Sequence, residues 1–167
     1  MSSWPVIDGR LAEKQMKLIE IHADGSLSCD VELNDFSRAV LDQTVSFYER
    51  TEFQPPWIGY LGVKDDQVIC VGGFKSSPQD GRVEIAYATM PGQEGQGYAT
   101  SIAQELVALA IRHDPRLIVF AQTLPEENAS VTVLKRLGFR CVGIVEHPED
   151  GSVWEWELLP SLPDQAN

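Results

Sequence analysis

Between Arg82 and Ile111 the chain sets a strand-like run, a glycine turn and an amphipathic helix in direct succession, and this order restricts the fold more than any other stretch. Residues Arg82 to Met90 (RVEIAYATM) mix β-branched, aromatic and small side chains and stop at Pro91 and Gly92, the pattern of a strand closed by a turn. QEGQGYAT follows, with Gly95, Gly97 and Ala99 at G-x-G-x-A spacing. Without a Cβ, Gly95 and Gly97 let the backbone turn tightly and approach an anion, with the amides of Gln96, Gly97, Tyr98 and Ala99 directed towards it. Apolar residues then recur at Ala99, Ile102, Ala103, Leu106, Val107, Ala110 and Ile111, which is one buried face of a helix. A helix beginning there adds its positive end to the loop, so the sequence describes a place to hold phosphate.

Two kinds of phosphate loop compete with an ordinary turn for this string. A dinucleotide loop opens a parallel βαβ unit and needs an acidic residue at the end of the next strand to hold ribose hydroxyls. Here the next strand-like run, Leu117 to Gln122, is followed by Thr123. A nucleoside-triphosphate loop needs G-x-x-x-x-G-K-[ST], a string the chain lacks.

Three residue groups carry a different likeness. They are Val83 to Tyr87 (VEIAY), Gly95 to Thr100 (GQGYAT), and Asn128, Ala129 and Ser130 followed by Val133 to Phe139 (VLKRLGF). With them, the region from Arg82 to Phe139 resembles the GNAT family of N-acetyltransferases, in which a long strand, a Q/R-x-x-G-x-G/A loop and a helix hold the pyrophosphate of acetyl-CoA. The branch most similar contains the acetyltransferases of ribosomal-protein N-termini. The resemblance implies an α/β fold with a mixed, mostly antiparallel sheet, flanked by helices, whose two central strands splay apart. It also implies that the pantetheine arm pairs with the open edge of the loop strand at Ala88 to Met90, that a backbone N–H near Thr89 holds the oxyanion, and that Asn128 and Ser130 touch the pantetheine amides. Helix capping is the competing account of those two residues, and Thr123 with Glu126 offers a second cap.

Acyl transfer to an amine needs a proton acceptor, because an amine with a pKa of roughly 8 to 10 is mostly protonated at neutral pH. Glu84 is the candidate: a carboxylate inside an otherwise apolar strand, where burial raises its pKa towards base work. Solvent exposure, or pairing with Arg82 or Lys75, is the alternative. Cys70 and Cys141 have no evident histidine partner, so direct transfer without a covalent enzyme intermediate is expected. The chain departs from the family pattern at Glu94, where Gln or Arg is usual and a carboxylate repels the pyrophosphate by roughly 0.7–3 kcal/mol at about 6 Å. It departs again at Leu134, where many members place the tyrosine that protonates the leaving thiolate, and in the two-residue spacing of Asn128 and Ser130. Glu94 and Leu134 sustain the alternative of a catalytically silent acyl-CoA sensor.

The remaining sequence is consistent with one domain spanning residues 1–167, with a frayed tail over 160–167. Thirteen basic against 25 acidic residues argue against nucleic acid, whose binding rests on Lys and Arg against phosphates, and would favour a cationic acceptor. No apolar run reaches a membrane span of about 18 residues and the N-terminus lacks a signal pattern, so a cytoplasmic location is expected; the oligomeric state is open, a homodimer included. His22, His113 and His147 lack metal-ligand spacing, and Cys29, Cys70 and Cys141 read as reduced packing residues.

Strands are expected at 17–22, 57–63, 68–74, 82–90, 117–122, 140–146 and 153–158. Helices are expected at 35–50, from 97 onward, and before the L-G-F stop. The first helix shows an apolar stripe at Phe36, Ala39, Val40, Gln43 and Phe47. That helix, Trp57, Tyr60, Trp154 and Trp156 are the candidates for acceptor specificity, with core packing the competing account of the last two.

Overall fold

The computed structural model describes residues 16–160, and the expected tail beyond residue 160 lies outside them. Ten elements follow in the anticipated order: β1 (Lys17–Glu20), α1 (Asp35–Arg50), β2 (Gly59–Lys64), β3 (Gln67–Phe74), β4 (Arg82–Thr89), α2 (Tyr98–His113), β5 (Ile118–Thr123), α3 (Ala129–Arg136), β6 (Arg140–His147) and β7 (Gly151–Leu158). The strands form one seven-stranded sheet in the order β1-β2-β3-β4-β5-β7-β6. Every neighbouring pair is antiparallel except β4 with β5.

That exception opens the sheet. β4 and β5 are in register only at Arg82, Val83 and Glu84, opposite Ile118, Val119 and Phe120. Beyond Glu84, β4 keeps its pairing with β3 as far as Thr89, while β5 turns to β7. Residues 85 to 89 therefore have a partner on one side and a gap on the other, the splay that the sequence resemblance implies.

Helices cover both faces. A Cβ on Gly72 would stand 3.0 and 3.1 Å from Ile102 and Leu106 of α2, so the even-numbered residues of β3 face that helix. Gly59 lies beside Tyr60, the partner of Gly72, and a Cβ there would meet Thr44 and Tyr48 of α1. Successive residues of a strand point to opposite faces, which puts α1 on the side opposite α2. Ile102, Ala103, Leu106 and Ala110 of α2 are wholly buried; at roughly 1.5–3 kcal/mol for each large side chain, this burial rather than intrinsic propensity fixes the helix. Ile111, at the margin of the expected stripe, is 40% exposed. Gly138 ends α3 at φ 93°, where the Phe139 amide donates to the Leu134 carbonyl at 3.0 Å, a left-handed stop that a residue with a Cβ strains to make.

α1 corrects the sequence reading. Its buried residues are Ser37, Leu41 and Tyr48, whereas Phe36 is 48% exposed and Ala39 and Gln43 are exposed. Polar side chains can occupy the buried face because their hydrogen bonds are satisfied there. Ser37 and Asn34 cap the helix reciprocally, each amide donating to the other's side-chain oxygen at 2.8 Å. The Tyr48 hydroxyl donates to the Ile21 carbonyl at 2.9 Å and accepts the Gly59 amide at 2.8 Å, tying α1 to the sheet edge. The expected stripe is thereby rotated off the core.

Two further readings change. Trp57 is a core residue, 8% exposed and edge-on to Phe74 and His113. Only Cys70 is a packing residue, since Cys29 and Cys141 are exposed.

Candidate active site

The glycine loop expected to hold phosphate follows directly from β4. Gly92, Gly95 and Gly97 have φ of 87°, 79° and 83°, values in the left-handed region that glycine alone adopts without strain. In front of Gly95 and Gly97 there is open space, with no heavy atom within 4 Å of where a Cβ would stand. Gly97 is the N-cap of α2 and supplies no side-chain cap, and the Ser101 amide, bonded to the Gly97 carbonyl, makes the first turn's bond. The amides of Tyr98, Ala99 and Thr100 are accordingly the helix's unsatisfied donors. No acidic residue occupies this first turn, and Lys64 reaches it from the end of β2, 3.3 Å from the Tyr98 hydroxyl and 5.5 Å from its ring centroid. Glu94 is exposed at the rim.

Along the gap, main-chain alternation decides which groups are open. The Met90 amide donates to the Ile69 carbonyl at 3.0 Å, and the Glu84 carbonyl accepts the Lys75 amide at 3.0 Å. Even-numbered residues of β4 thus turn their backbone to β3, and Ile85, Tyr87 and Thr89 turn theirs to the gap. Of the edge expected at Ala88, Thr89 and Met90, Thr89 alone presents an amide there. Five residues at about 3.4 Å each separate Thr89 from Glu84 by roughly 17 Å, so the two cannot both touch one reacting centre.

Glu84 is half-buried. Burial pushes its carboxyl above the usual carboxylate range; Lys75 opposes this and Glu155 adds to it. Neither candidate partner pairs with it. Arg82 is taken by β7, its Nη2 standing 3.1 Å from Glu155 and 2.8 Å from Glu157 while the guanidinium covers the Phe120 ring at 4.1 Å. The cation that could have neutralised Glu84 is thus held by two other carboxylates. Lys75 lies opposite Glu84, with no carboxylate within 4 Å of its ammonium among the described residues.

Two cavities meet at this point. One, of about 280 Å³, lies where β4 and β5 part and is lined by Glu84, Gln122, Asn128, Ser130 and His147. The other, of about 300 Å³, lies under α1 and is lined by Val40, Phe47, Val71, Ala86 and Ala88. Lys75 and Ala86 belong to both. Part of the apolar stripe of α1, Val40 with Gln43 and Phe47, therefore walls a cavity instead of the core.

Asn128 caps α3, its Oδ1 accepting the Val131 amide at 3.0 Å. Thr123 does not cap; its hydroxyl accepts the Trp156 indole N–H at 3.0 Å. Ser130 meets the site through its carbonyl, which accepts the Tyr87 hydroxyl at 3.2 Å. Leu134 is wholly buried. Trp156 is 4% exposed and packs edge-on to Trp154, so the indoles are packing residues, whereas Tyr60, buried with its hydroxyl donating to the Pro56 carbonyl at 2.7 Å, lines the cavity under α1. Burial pushes the Cys70 thiol up to about 12, which leaves it no thiolate to act as a nucleophile. His147 was missed by sequence reasoning: its Nδ1 accepts the amides of Glu149 and Asp150 at 3.1 Å each, leaving the ring N–H on Nε2. Among the described residues, no cluster of three or more His, Cys, Asp or Glu could hold a metal ion, and no helix is long and apolar enough to cross a membrane.

Comparison with known proteins places this geometry. The model of the GNAT acetyltransferase domain matches residues 22–140, while a search of curated proteins by sequence found no match. Among solved structures, the ribosomal L7/L12 alpha-N-protein acetyltransferase RimL superposes with a TM-score of 0.65 at 15% identity, covering 89% of this chain and 95% of that one. Ribosomal-protein-S5-alanine acetyltransferase from Vibrio fischeri gives 0.58 at 12% identity over 78% of each chain. The yncA structure from Salmonella typhimurium, solved with its cofactor acetyl-CoA, gives 0.57 at 18% identity over 71% of this chain and 73% of that one. At such identities the likeness is one of fold, and the family match carries the assignment: the chain belongs to the GNAT acetyltransferase family.

Proposed function

We propose that the protein transfers the acetyl group of acetyl-CoA directly to a primary amine, on a small molecule or a protein N-terminus. The observation that carries this reading is the pair of features on one strand. An uncapped helix N-terminus with open space before Gly95 and Gly97 stands at one end of β4, and a half-buried carboxylate without an ion-pair partner stands at the other. The amides of Gln96 to Thr100 suit a pyrophosphate, and Lys64 adds a positive charge nearby. The edge beside the gap suits the extended, amide-bearing pantetheine arm, as a strand accepts an added strand.

Glu84 is the base in this reading. A carboxylate with a raised pKa takes the proton of an incoming ammonium more readily than an ordinary one. The Tyr87 amide faces the gap roughly 10 Å along the strand from Glu84, and we assign it the carbonyl oxygen of the thioester as that oxygen becomes negative. We assign the Thr89 amide to the arm instead of its expected role, in view of its distance along the strand from Glu84. Asn128 acts through its cap on α3, and Ser130 borders the same cavity.

Release of free thiol from acetyl-CoA in the presence of a panel of amines tests the proposal. Turnover with at least one amine, lost on Glu84→Gln while coenzyme A still binds, is the expected result. Binding without turnover of any acceptor would establish the silent acyl-CoA sensor that Glu94 and the buried Leu134 keep in view.

A further inference from the structure

The cavity under α1 differs in character from the protein around it. The chain carries a formal net charge of −12, yet no carboxylate lines this cavity, and its one charged residue is Lys75. Most of the rest of its wall is apolar or aromatic, Val40, Phe47, Val71, Ala86 and Ala88 among it, with Gln43 and Thr44 of α1 as polar members. The Lys75 amide donates to the Glu84 carbonyl, so the two residues stand directly opposite on adjacent strands with side chains on one face. Their charged groups do not pair. A carboxylate and an ammonium are thus held side by side, both available, at the mouth of an apolar pocket.

An acceptor that fits must offer a cation to Glu84, an anion to Lys75 and an apolar body to the cavity, with the two charges close together. A free α-amino acid carries its ammonium and carboxylate on one carbon and its side chain in a third direction. A polyamine or aminoglycoside would bring further cations against Lys75 and an apolar wall, where each loses hydration without a counter-charge. A peptide N-terminus has no α-carboxylate and leaves Lys75 unmatched. Resting on the transfer reading above, we propose that the acceptor is a free α-amino acid with a large apolar side chain, its amine at Glu84, its carboxylate on Lys75 and its side chain between α1 and the β3–β4 surface. A cavity of about 300 Å³ is at the small end of the range for ligand pockets and has room for one such side chain.

The step balances without another reactant. The amino acid arrives as an ammonium and gives one proton to the Glu84 carboxylate. The freed lone pair forms the C–N bond at the thioester carbonyl carbon as the C–S bond breaks. A second nitrogen proton leaves with the sulfur as coenzyme A thiol, and Glu84 returns its proton to water.

The test uses the full chain with saturating acetyl-CoA, following thiol release with leucine, methionine and phenylalanine against leucinamide, a leucyl peptide and spermidine. Expected is a kcat/KM for leucine at least tenfold above leucinamide and a hundredfold above spermidine. Lys75→Met should raise KM for leucine about tenfold with little change in kcat, bringing leucine and leucinamide close to parity, and Lys75→Arg should restore most of the preference. Leucinamide or the peptide preferred over leucine by the unaltered protein overturns the amino-acid assignment and leaves acetyl transfer standing, as does a preference that Lys75→Met does not move. Because the first of these uses no variant, poor folding of Lys75→Met cannot shield the proposal. Coenzyme A binding with no turnover of any amine overturns the transfer reading, and this one with it.

Discussion

The two ends of β4 are built from different materials. At the Thr89 end the loop offers main-chain amides, positive φ angles and a helix terminus. At the Glu84 end the surroundings are side chains from β3, β5, β7, α1 and the β6–β7 turn, with Arg82 holding Glu155 and Glu157 across the sheet. A site made of backbone depends on a short contiguous string, whereas a site made of side chains depends on register and packing between distant elements. The first should fail by losing coenzyme A affinity, and the second by losing turnover.

The sharpest separation comes from Glu84→Gln, which should lower kcat by about 10²–10⁴-fold, the usual worth of general base catalysis, with the calorimetric Kd for coenzyme A unchanged. The unaltered enzyme should gain rate as pH rises through a value above the ordinary glutamate range, because the base must be deprotonated and burial raises its pKa; the variant should lack that limb. Stability runs the other way. With the folded pKa above the unfolded one, the contribution of Glu84 to the fold is fully present below the ordinary glutamate value and is lost as pH rises through the raised one. Glu84→Gln should therefore melt above the unaltered protein at neutral pH, and the two should converge in acid.

The mirror experiment is Gly97→Glu, which places a carboxylate and a Cβ where φ is 83°. Coenzyme A affinity should fall about a hundredfold, from roughly 1–2 kcal/mol of backbone strain and the repulsion of the added charge. A circular-dichroism spectrum unlike that of the unaltered protein, or affinity left intact, would break the assignment of this loop. Arg82→Met should cost about 1–3 kcal/mol by thermal or urea unfolding, since two part-buried carboxylates then face each other without their cation. Its kcat should suffer more than its coenzyme A affinity; the reverse would mean that the clamp serves the loop. The smallest effect is expected from Glu94→Gln, a roughly two- to fivefold gain in coenzyme A affinity that fades as salt is raised, as befits an exposed charge.

The same contrast explains what could be read in advance. The strand, loop and α2 were legible between Arg82 and Ile111 because period, glycine placement and helix start are all local. Ser37 and Tyr48 defeated the reading of α1. Their burial depends on a capping partner and on two main-chain groups, at Ile21 and Gly59, that sequence order does not bring near. Trp57 was a candidate pocket wall, yet it is a core residue, and Trp154 and Trp156 follow the packing account that the strand alternation already offered. Lys75 appeared in the sequence as a rival partner for Glu84, and its place beside Glu84 without pairing is visible only once the β3–β4 register is known. His147 was invisible because a hairpin turn, not spacing, brings it to Glu84.

By itself the sequence determined that a glycine turn joins a strand to a helix, that seven strands and three helices follow in a set order, and that a lone carboxylate sits on the loop strand. Tertiary structure alone decided which way α1 turns, where β4 and β5 part, and which cation Glu84 is denied. The reason is range: backbone conformation is fixed by neighbours a few residues away, but burial and charge pairing depend on groups that only the folded sheet brings together.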